Sequence, residues 1–218
     1  MKHRRQIRIT AIAGLVVASL ASAASASAAP VTAAENQGAT TNVRSVSKAC
    51  LDAIKLGSQR SGKTYDPSIC DRKVSTTLTL PRVVALEDLE AVSATFSSED
   101  LASIKAAVAA GTVRSRNFYQ QTSSVLSTVS QTGVFYYDGN RAWISTYRGF
   151  AGSHRCQVER SVILSVSPQN CYESGTLSVR TLSQQWLFTL GLSVEFVSLP
   201  ISWSETYSLR ANAVGATW

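Results

Sequence analysis

The stretch that decides the fold is Ile201-Ser202-Trp203-Ser204-Glu205-Thr206-Tyr207-Ser208-Leu209. Its odd positions are mostly large and apolar, and its even positions are all serine or threonine. An alternation of period two is typical of a β-strand with one buried face and one wet face. Shorter copies of this pattern occur at 162–166, 177–179 and 192–196. We therefore expect the second half of the chain to form an antiparallel β-sandwich or a partly closed barrel.

Two helices are expected before this sheet. Leu101, Ile104 and Val108 recur at helical spacing and Gly111 supplies a stop, which predicts a helix over 98–110. A shorter helix is predicted over 48–56, followed by a loop at 57–67. Strand-like runs are predicted at 74–80, 113–120, 133–148, 161–168 and 175–209. The predicted fold class is α+β and mainly β, with a short N-terminal helical section.

The first 28 residues have the three parts of a secretory signal peptide. These are a basic start, an apolar run at Ile9–Ala21 and the small-residue exit Ala26-Ser27-Ala28. The run is shorter than the roughly 20 apolar residues of a membrane span. We therefore predict cleavage after Ala28 and a secreted, extracellular product with no membrane span. The leader resembles those of exported bacterial proteins, particularly of actinomycetes, and its paired arginines leave twin-arginine export as an alternative route.

Most of the positive charge belongs to this leader. The chain has 21 basic and 14 acidic residues, a net charge of +7. Four of the basic residues lie in the leader, which leaves 17 against 14 and a net charge of +3. A nucleic-acid-binding protein needs a concentrated basic footprint. We therefore expect no nucleic-acid partner.

The four cysteines predict two disulfides. Cys50, Cys70, Cys156 and Cys171 all follow the leader, and an even number of cysteines in an exported chain indicates a disulfide framework. Three pairings are possible. We favour Cys50 with Cys70 and Cys156 with Cys171, because each of these pairs closes a short loop.

Composition divides the chain into four segments. Residues 1–28 are the signal peptide, and residues 29–47, which lack apolar periodicity, are predicted to be a flexible arm that is either disordered or ordered by a partner. Residues 48–112 are predicted to form a disulfide-tethered helical section, and residues 113–218 a β-rich domain.

The clearest local signal is a hairpin centred on Asp138-Gly139, with apolar and aromatic residues on both sides. A two-residue loop would place Tyr136 opposite Arg141, whereas a loop that includes Asn140 would change the pairing. The candidate binding residues on this hairpin are Tyr136, Arg141, Trp143 and Tyr147. Flat rings stack on sugars or peptide groups, and a guanidinium binds hydroxyls or carboxylates. Aromatic pairs also stabilise ordinary sheets, so a structural role is the competing interpretation.

Catalytic signals are weak. His154 is the single histidine after the leader, and it lies beside Cys156 without a nucleophile-elbow sequence around it. A zinc site at His154, Cys156 and Cys171 would lack the fourth ligand of a structural centre, so we expect no metal and no cofactor. The carboxylates that could provide an acid pair for glycoside hydrolysis are Asp138, Glu159, Glu173, Glu195 and Glu205.

These observations predict a secreted, non-enzymatic interaction module. It would serve as an adaptor in an extracellular protein assembly or bind a cell-surface glycan or protein. The first alternative is a secreted hydrolase or antibacterial effector that uses carboxylates or His154. The second is a proteinase inhibitor that presents the loop between Cys156 and Cys171.

Overall fold

The computed structural model describes residues 37–85, 87–88, 98–145, 147, 150–191, 193–194, 197–198 and 200–218. The predicted signal peptide lies outside the described residues. The helices are α1 (Lys48–Ser61) and α2 (Ser98–Ala109), and a short 3-10 helix spans Pro67–Cys70. The strands are β1 (Gln37–Val46), β2 (Asp71–Thr79), β3 (Arg82–Val83), β4 (Arg114–Ser123), β5 (Ser127–Tyr137), β6 (Ala142–Trp143), β7 (Ser153–Ser161), β8 (Leu164–Gly175), β9 (Val179–Leu190), β10 (Ser193–Val194), β11 (Val197–Ser198) and β12 (Ile201–Asn212).

Antiparallel strands form a larger and a smaller sheet. The larger sheet has the order β1-β2-β4-β5, with β3 paired to β4 and with β6 and β7 paired to β5. The smaller sheet has the order β12-β9-β8. Strands β10 and β11 form a separate two-stranded pair. Within the described part of the chain, no strand pair joins the larger sheet to the smaller one. The predicted α+β, mainly β class is confirmed, and its form is a sandwich rather than a closed barrel.

The alternation in β12 sets the inner face of the smaller sheet. From Ile201 to Ala211 the odd positions are buried or half-buried, and the even positions are exposed, as the sequence predicts. Leu209 packs with Leu182 of β9, and these side chains meet Phe118 and Phe135 of the larger sheet. The core therefore lies between the two sheets.

Helix α1 closes one side of this core and is longer than predicted. Ser47 caps its N-terminus by accepting a hydrogen bond from the backbone nitrogen of Cys50 at 3.1 Å. The predicted end at residue 56 is wrong, because Gly57 is a buried residue inside the helix. Gly62 instead supplies the left-handed C-cap, with φ of 67°.

Helix α2 matches the predicted helix at 98–110. Its Ile104 and Val108 pack with Trp143 and Phe150 in a separate cluster. Trp143 pairs with Tyr136 of β5, whose neighbours Phe135 and Tyr137 point into the core between the sheets. Because successive strand residues point to opposite faces, α2 covers part of the outer face of the larger sheet.

The flexible arm predicted at 29–47 is wrong for residues 37–46, which form β1; residues 29–36 lie outside the described residues. Strand β1 pairs with β2 in register from Thr40 opposite Thr77 to Val46 opposite Asp71. All its residues from 39 to 46 are exposed. Backbone pairing, rather than burial of apolar side chains, holds β1, so its composition carried no strand signal.

The predicted boundary between a helical section at 48–112 and a β-rich domain at 113–218 is also wrong. Strand β2 belongs to the larger sheet and pairs with β4, Thr76 lying opposite Gln120. The described residues all fall within one compact unit, Ala33–Trp218. The threonine-rich strand before Pro81 is therefore a sheet strand and not part of a separate helical module.

The predicted hairpin forms with the longer loop. Tyr136 lies opposite Trp143 and Tyr137 opposite Ala142, which leaves four residues in the loop. The Asp138 carboxylate accepts hydrogen bonds from the backbone nitrogens of Asn140 at 3.0 Å and Arg141 at 2.8 Å. These bonds stabilise the four-residue turn, so the two-residue pairing of Tyr136 with Arg141 is wrong.

Both predicted disulfides are confirmed. Cys50 bonds to Cys70, and Cys156 bonds to Cys171, with Cα–Cα distances of 5.6 Å and 5.9 Å. The first bridge ties α1 to the 3-10 helix, and the second ties β7 of the larger sheet to β8 of the smaller one. No helix among the described residues is both long and apolar enough to span a bilayer.

Removing the Cys156–Cys171 bridge is expected to lower the free energy of unfolding by about 3 kcal/mol, because a bridge of this loop length restricts the unfolded chain by about that much. Denaturant unfolding of the C156S/C171S double variant checks this value. Comparison with the oxidised parent isolates the bridge, and an unfolding midpoint equal to that of the parent would contradict the expectation.

Candidate binding surfaces

The four predicted binding residues lie together on the outer face of the larger sheet. Tyr136 stacks on Trp143 and on Phe150, with ring centroids 5.8 Å and 5.4 Å apart. Tyr147 meets Trp143 edge to face at 5.0 Å. The Arg141 guanidinium carbon lies 4.0 Å from the centroid of the Tyr147 ring, within the range of a cation–π interaction.

Most of this aromatic cluster is buried by contacts within the protein. Trp143 is only 3% exposed, and its indole nitrogen donates to the carbonyl oxygen of Phe150 at 3.0 Å. Burial is the main cause that raises the pKa of Tyr136, with the charge of Asp88 adding to it and Arg82 opposing it. Tyr136, Arg141 and Tyr147 are half-buried, so these side chains, and not Trp143, form the solvent-facing rim of the described cluster. A direct recognition role for the four residues stays a prediction, and Trp143 has a clear packing role.

His154 is arranged as a structural hydrogen-bond donor. Its Nε2 lies 2.8 Å from Gln131 Oε1, while the Gln131 amide nitrogen donates to Gln120 Oε1 at 2.6 Å. Gln131 Oε1 must then accept, so His154 Nε2 carries the hydrogen. Burial lowers the pKa of His154, and the charge of Glu173 opposes that shift. A neutral ring with its Nε2 hydrogen committed to Gln131 cannot take a proton at that nitrogen.

The remaining catalytic and metal candidates are held by structural contacts. Ligand atoms of His154, Cys156 and Cys171 lie within 4.8 Å of one another, but the disulfide leaves neither sulfur as a thiolate, the form that binds zinc. Glu173 pairs with Arg180 at 3.4 Å, and Asp138 caps its turn. Glu205 is buried against Arg72, Glu159 accepts hydrogen bonds from Tyr119 and Gln121, and Glu195 lies outside the described residues.

A second surface adjoins the aromatic cluster. Two rows of side chains cross four strands on the outer face, and we call these residues together with Glu159 the polar face. One row is Thr77, Tyr119, Thr132 and Arg155. The next row is Ser75, Gln121, Ser130 and Gln157. Residues opposite one another in register share a face of the sheet, so this surface offers hydroxyl, amide and charged groups side by side.

A hydrogen-bonded network fixes the centre of the polar face. The Tyr119 hydroxyl donates to Glu159 Oε1 at 2.5 Å. The Gln121 amide nitrogen donates to Glu159 Oε2 at 2.5 Å and lies 2.8 Å from the Tyr119 hydroxyl. The three side chains reach from β4 and β7 across β5, where Ser130 is fully buried beneath them. A small residue at that position leaves room for the network.

The network sets the charge state of its members. Burial, followed by the hydrogen bond to Glu159 and the charge of Glu159, raises the pKa of Tyr119 to about 12. Partial burial opposes ionisation of Glu159, but hydrogen bonds from Tyr119 and from other polar neighbours outweigh it and lower the pKa of Glu159. At neutral pH the polar face therefore presents a fixed carboxylate next to a neutral tyrosine.

Sequence reasoning missed Tyr119 and Gln121 and treated Glu159 only as a member of an acid pair. Strand β4 does carry a local signal, since Asn117, Tyr119 and Gln121 alternate with residues whose side chains point inward. The partner Glu159 is 40 residues from Tyr119, and it lies where the pairing of β5 and β7 shifts register. Such a bulge changes which side chains share a face, and the sequence gives no sign of it.

Comparison of the chain with protein-family models, with curated proteins and with solved structures found no match.

Proposed function

We propose that the protein is a secreted, non-enzymatic interaction module that binds a cell-surface glycan on the polar face of its larger sheet. The observation that carries this proposal is the Tyr119–Gln121–Glu159 network, which is held in place before any ligand binds. Ordered groups lose little conformational entropy on binding. They suit a ligand that offers many hydroxyls and few charges.

The chemistry of the polar face matches sugar hydroxyls. Glu159 accepts hydrogen bonds, Gln121 offers both an amide donor and an acceptor, and Arg155 donates from the exposed edge. The half-buried Tyr119 ring adds apolar surface at the centre of these groups. Ligand sites combine apolar and aromatic surface with a few placed polar groups in this way. A protein partner remains the other outcome, in which the same surface would serve an adaptor.

The alternative functions have less support. Four of the five candidate carboxylates lie among the described residues, and each of these four holds a turn, an ion pair or the polar network. The segment between Cys156 and Cys171 is mostly strand, with a sharp crossing at Val162 and Ile163. An inhibitor loop would need to project as an extended segment, and these strands are paired to β5 and β9.

Replacing Tyr119 with alanine is expected to weaken glycan binding about tenfold or more, because it removes the ring and frees the Glu159 carboxylate. Tyr119→Phe keeps the ring and is expected to lose less. Isothermal titration of the purified protein against a panel of soluble cell-wall and cell-surface polysaccharides measures both effects.

The matched control for this experiment is Tyr172→Ala, because Tyr172 is an exposed tyrosine on the smaller sheet. Its binding should equal that of the parent protein. Unchanged affinity of Tyr119→Ala, or no binding to any polysaccharide of the panel, would overturn the glycan assignment. Release of shorter sugars by the parent protein would overturn the non-enzymatic assignment.

A further inference from the structure

One end of the sandwich carries three exposed aliphatic side chains on two adjacent connections between strands, which we call crossings. Val125 lies between β4 and β5, and Val162 and Ile163 lie between β7 and β8. Their exposed fractions are 63%, 45% and 75%. The backbone nitrogen of Val162 donates to the carbonyl oxygen of Leu126 at 2.8 Å, so the two crossings are held together. We call these three residues the apex.

Ile163 is unfavourable for folding on two counts. Its φ is 55°, in the left-handed region where a β-branched residue is a genuine outlier and where glycine or asparagine is preferred. Its side chain is also the most exposed of the large hydrophobic residues described, so it contributes little to the core. Backbone strain of this kind is characteristic of functional positions, and the exposure of Ile163 leaves its side chain available for a contact outside the molecule.

One row of the outer face of the larger sheet, close to the apex, is basic. Successive pairings place Arg44, Lys73, Ser123, Thr128 and Arg160 in one row on the outer face. We call Arg44, Lys73 and Arg160 the basic row. Arg44 lies directly opposite Lys73, and like charges in that position are destabilising. This row therefore also costs stability within the folded chain.

The basic row keeps a net positive charge. Arg44, Lys73 and Arg160 are exposed, and none of them forms an ion pair within the described residues. Two Arg160 hydrogen bonds, to the carbonyl oxygens of Ser124 and Val125, fix its guanidinium beside the apex. Glu159 is engaged in the polar network, and Asp71 on β2 offsets one of the three charges.

We infer that the apex and the basic row dock the protein on a membrane surface rich in anionic phospholipid. Aliphatic side chains on a projecting end enter the boundary between headgroups and acyl chains, while basic side chains beside them attract anionic headgroups. A protein partner would be expected to present a pocket for the apex, and its binding would not depend on lipid charge. The exposed cations of the basic row complement anionic headgroups, and the exposed aliphatic side chains of the apex beside them match the acyl boundary of the same surface.

The direct test is co-sedimentation of the full protein with vesicles of phosphatidylcholine, alone or with about one-third phosphatidylglycerol. We expect binding to the anionic vesicles that weakens as salt rises, and little binding to phosphatidylcholine alone. Ile163→Asn is expected to reduce vesicle binding about tenfold or more and to leave the melting temperature unchanged or raised. Lys73→Gln is expected to reduce it about fivefold.

Matched controls lie away from the apex. Leu80→Asn alters an exposed aliphatic residue at the opposite end of β2, and Arg210→Gln removes an exposed cation from the smaller sheet. Both should bind vesicles as the parent does. If Ile163→Asn proves less stable than the parent, vesicle binding by Val125→Ser on the neighbouring crossing is the deciding measurement, and it should also be reduced. Absence of binding to anionic vesicles would overturn the inference. So would binding as strong as that of the parent by Lys73→Gln and by the apex variants, or binding that does not depend on lipid charge.

Discussion

Replacing Arg72 with methionine is expected to lower the free energy of unfolding by about 3–5 kcal/mol, because it would leave a buried carboxylate without its charged partner. The Arg72 and Glu205 side chains are 3% and 8% exposed, and Arg72 Nη2 lies 3.2 Å from Glu205 Oε1. Chemical denaturation followed by tryptophan fluorescence measures the change.

Glu205 is the centre of a larger buried network. Its carboxylate also accepts hydrogen bonds from Ser47 Oγ at 2.6 Å, from Trp203 Nε1 at 2.7 Å and from the Tyr207 hydroxyl. Burial, together with the charge of Glu205, raises the pKa of Tyr207. The network joins the start of α1, β2 and β12, so its loss should loosen both sheets together.

Two controls separate this effect from the simple loss of an ion pair. Adding Glu205→Gln to Arg72→Met removes the stranded charge and should recover part of the stability. Lys48→Met breaks an ion pair whose side chains are 87% and 65% exposed, and it should cause no measurable change. A loss for Arg72→Met as small as that for Lys48→Met would contradict the expectation.

Replacing Gly133 with alanine is expected to destabilise the protein by about 3 kcal/mol or more, since overpacking a rigid site costs at least that in severe cases. A methyl group at Gly133 would lie 1.8 Å from the carbonyl oxygen of Ser153 and 2.9 Å from Cε1 of Phe118. Gly133 pairs with Phe118 on one side and His154 on the other, so the strand cannot shift without breaking a ladder.

Denaturant unfolding measures this loss, and amide hydrogen exchange in β7 should show where it arises. Gly191→Ala is the matched control, because a methyl group there meets nothing within 4 Å. It should be neutral or slightly stabilising. Equal stability of the two variants would show that β5 and β7 have room that the structure does not give them.

Strands whose side chains alternate between core and solvent could be predicted from the sequence. Ile201 to Leu209 shows this best, because burial alone explains its pattern. Strand β1 gave no such signal, since Val43 and its neighbours are exposed and the strand depends on backbone pairing with β2. Local pairs such as Cys156 with Cys171 were also predictable, because few residues separate them.

The candidate surfaces were less predictable for a different reason. Tyr136 and Trp143 were found because they are close in the chain, but their burial beneath α2 depends on long-range packing. The polar face and the basic row depend on the register of several strands. Arg44 and Arg160, for example, share a row only through the pairings of β2, β4 and β5. One-residue slips in any of these strands would move the side chains to opposite faces.

The placement of the two disulfides bears on the order in which the chain assembles. Their cysteines are 20 and 15 residues apart, so either loop can close early at a small entropic cost. Arg72 and Glu205 are 133 residues apart, and their contact can form only after β12 has been synthesised. The covalent bridges are thus features of local segments, whereas the final tertiary closure waits for the C-terminal strand. Premature termination before β12 would leave a correctly oxidised chain that cannot complete its core.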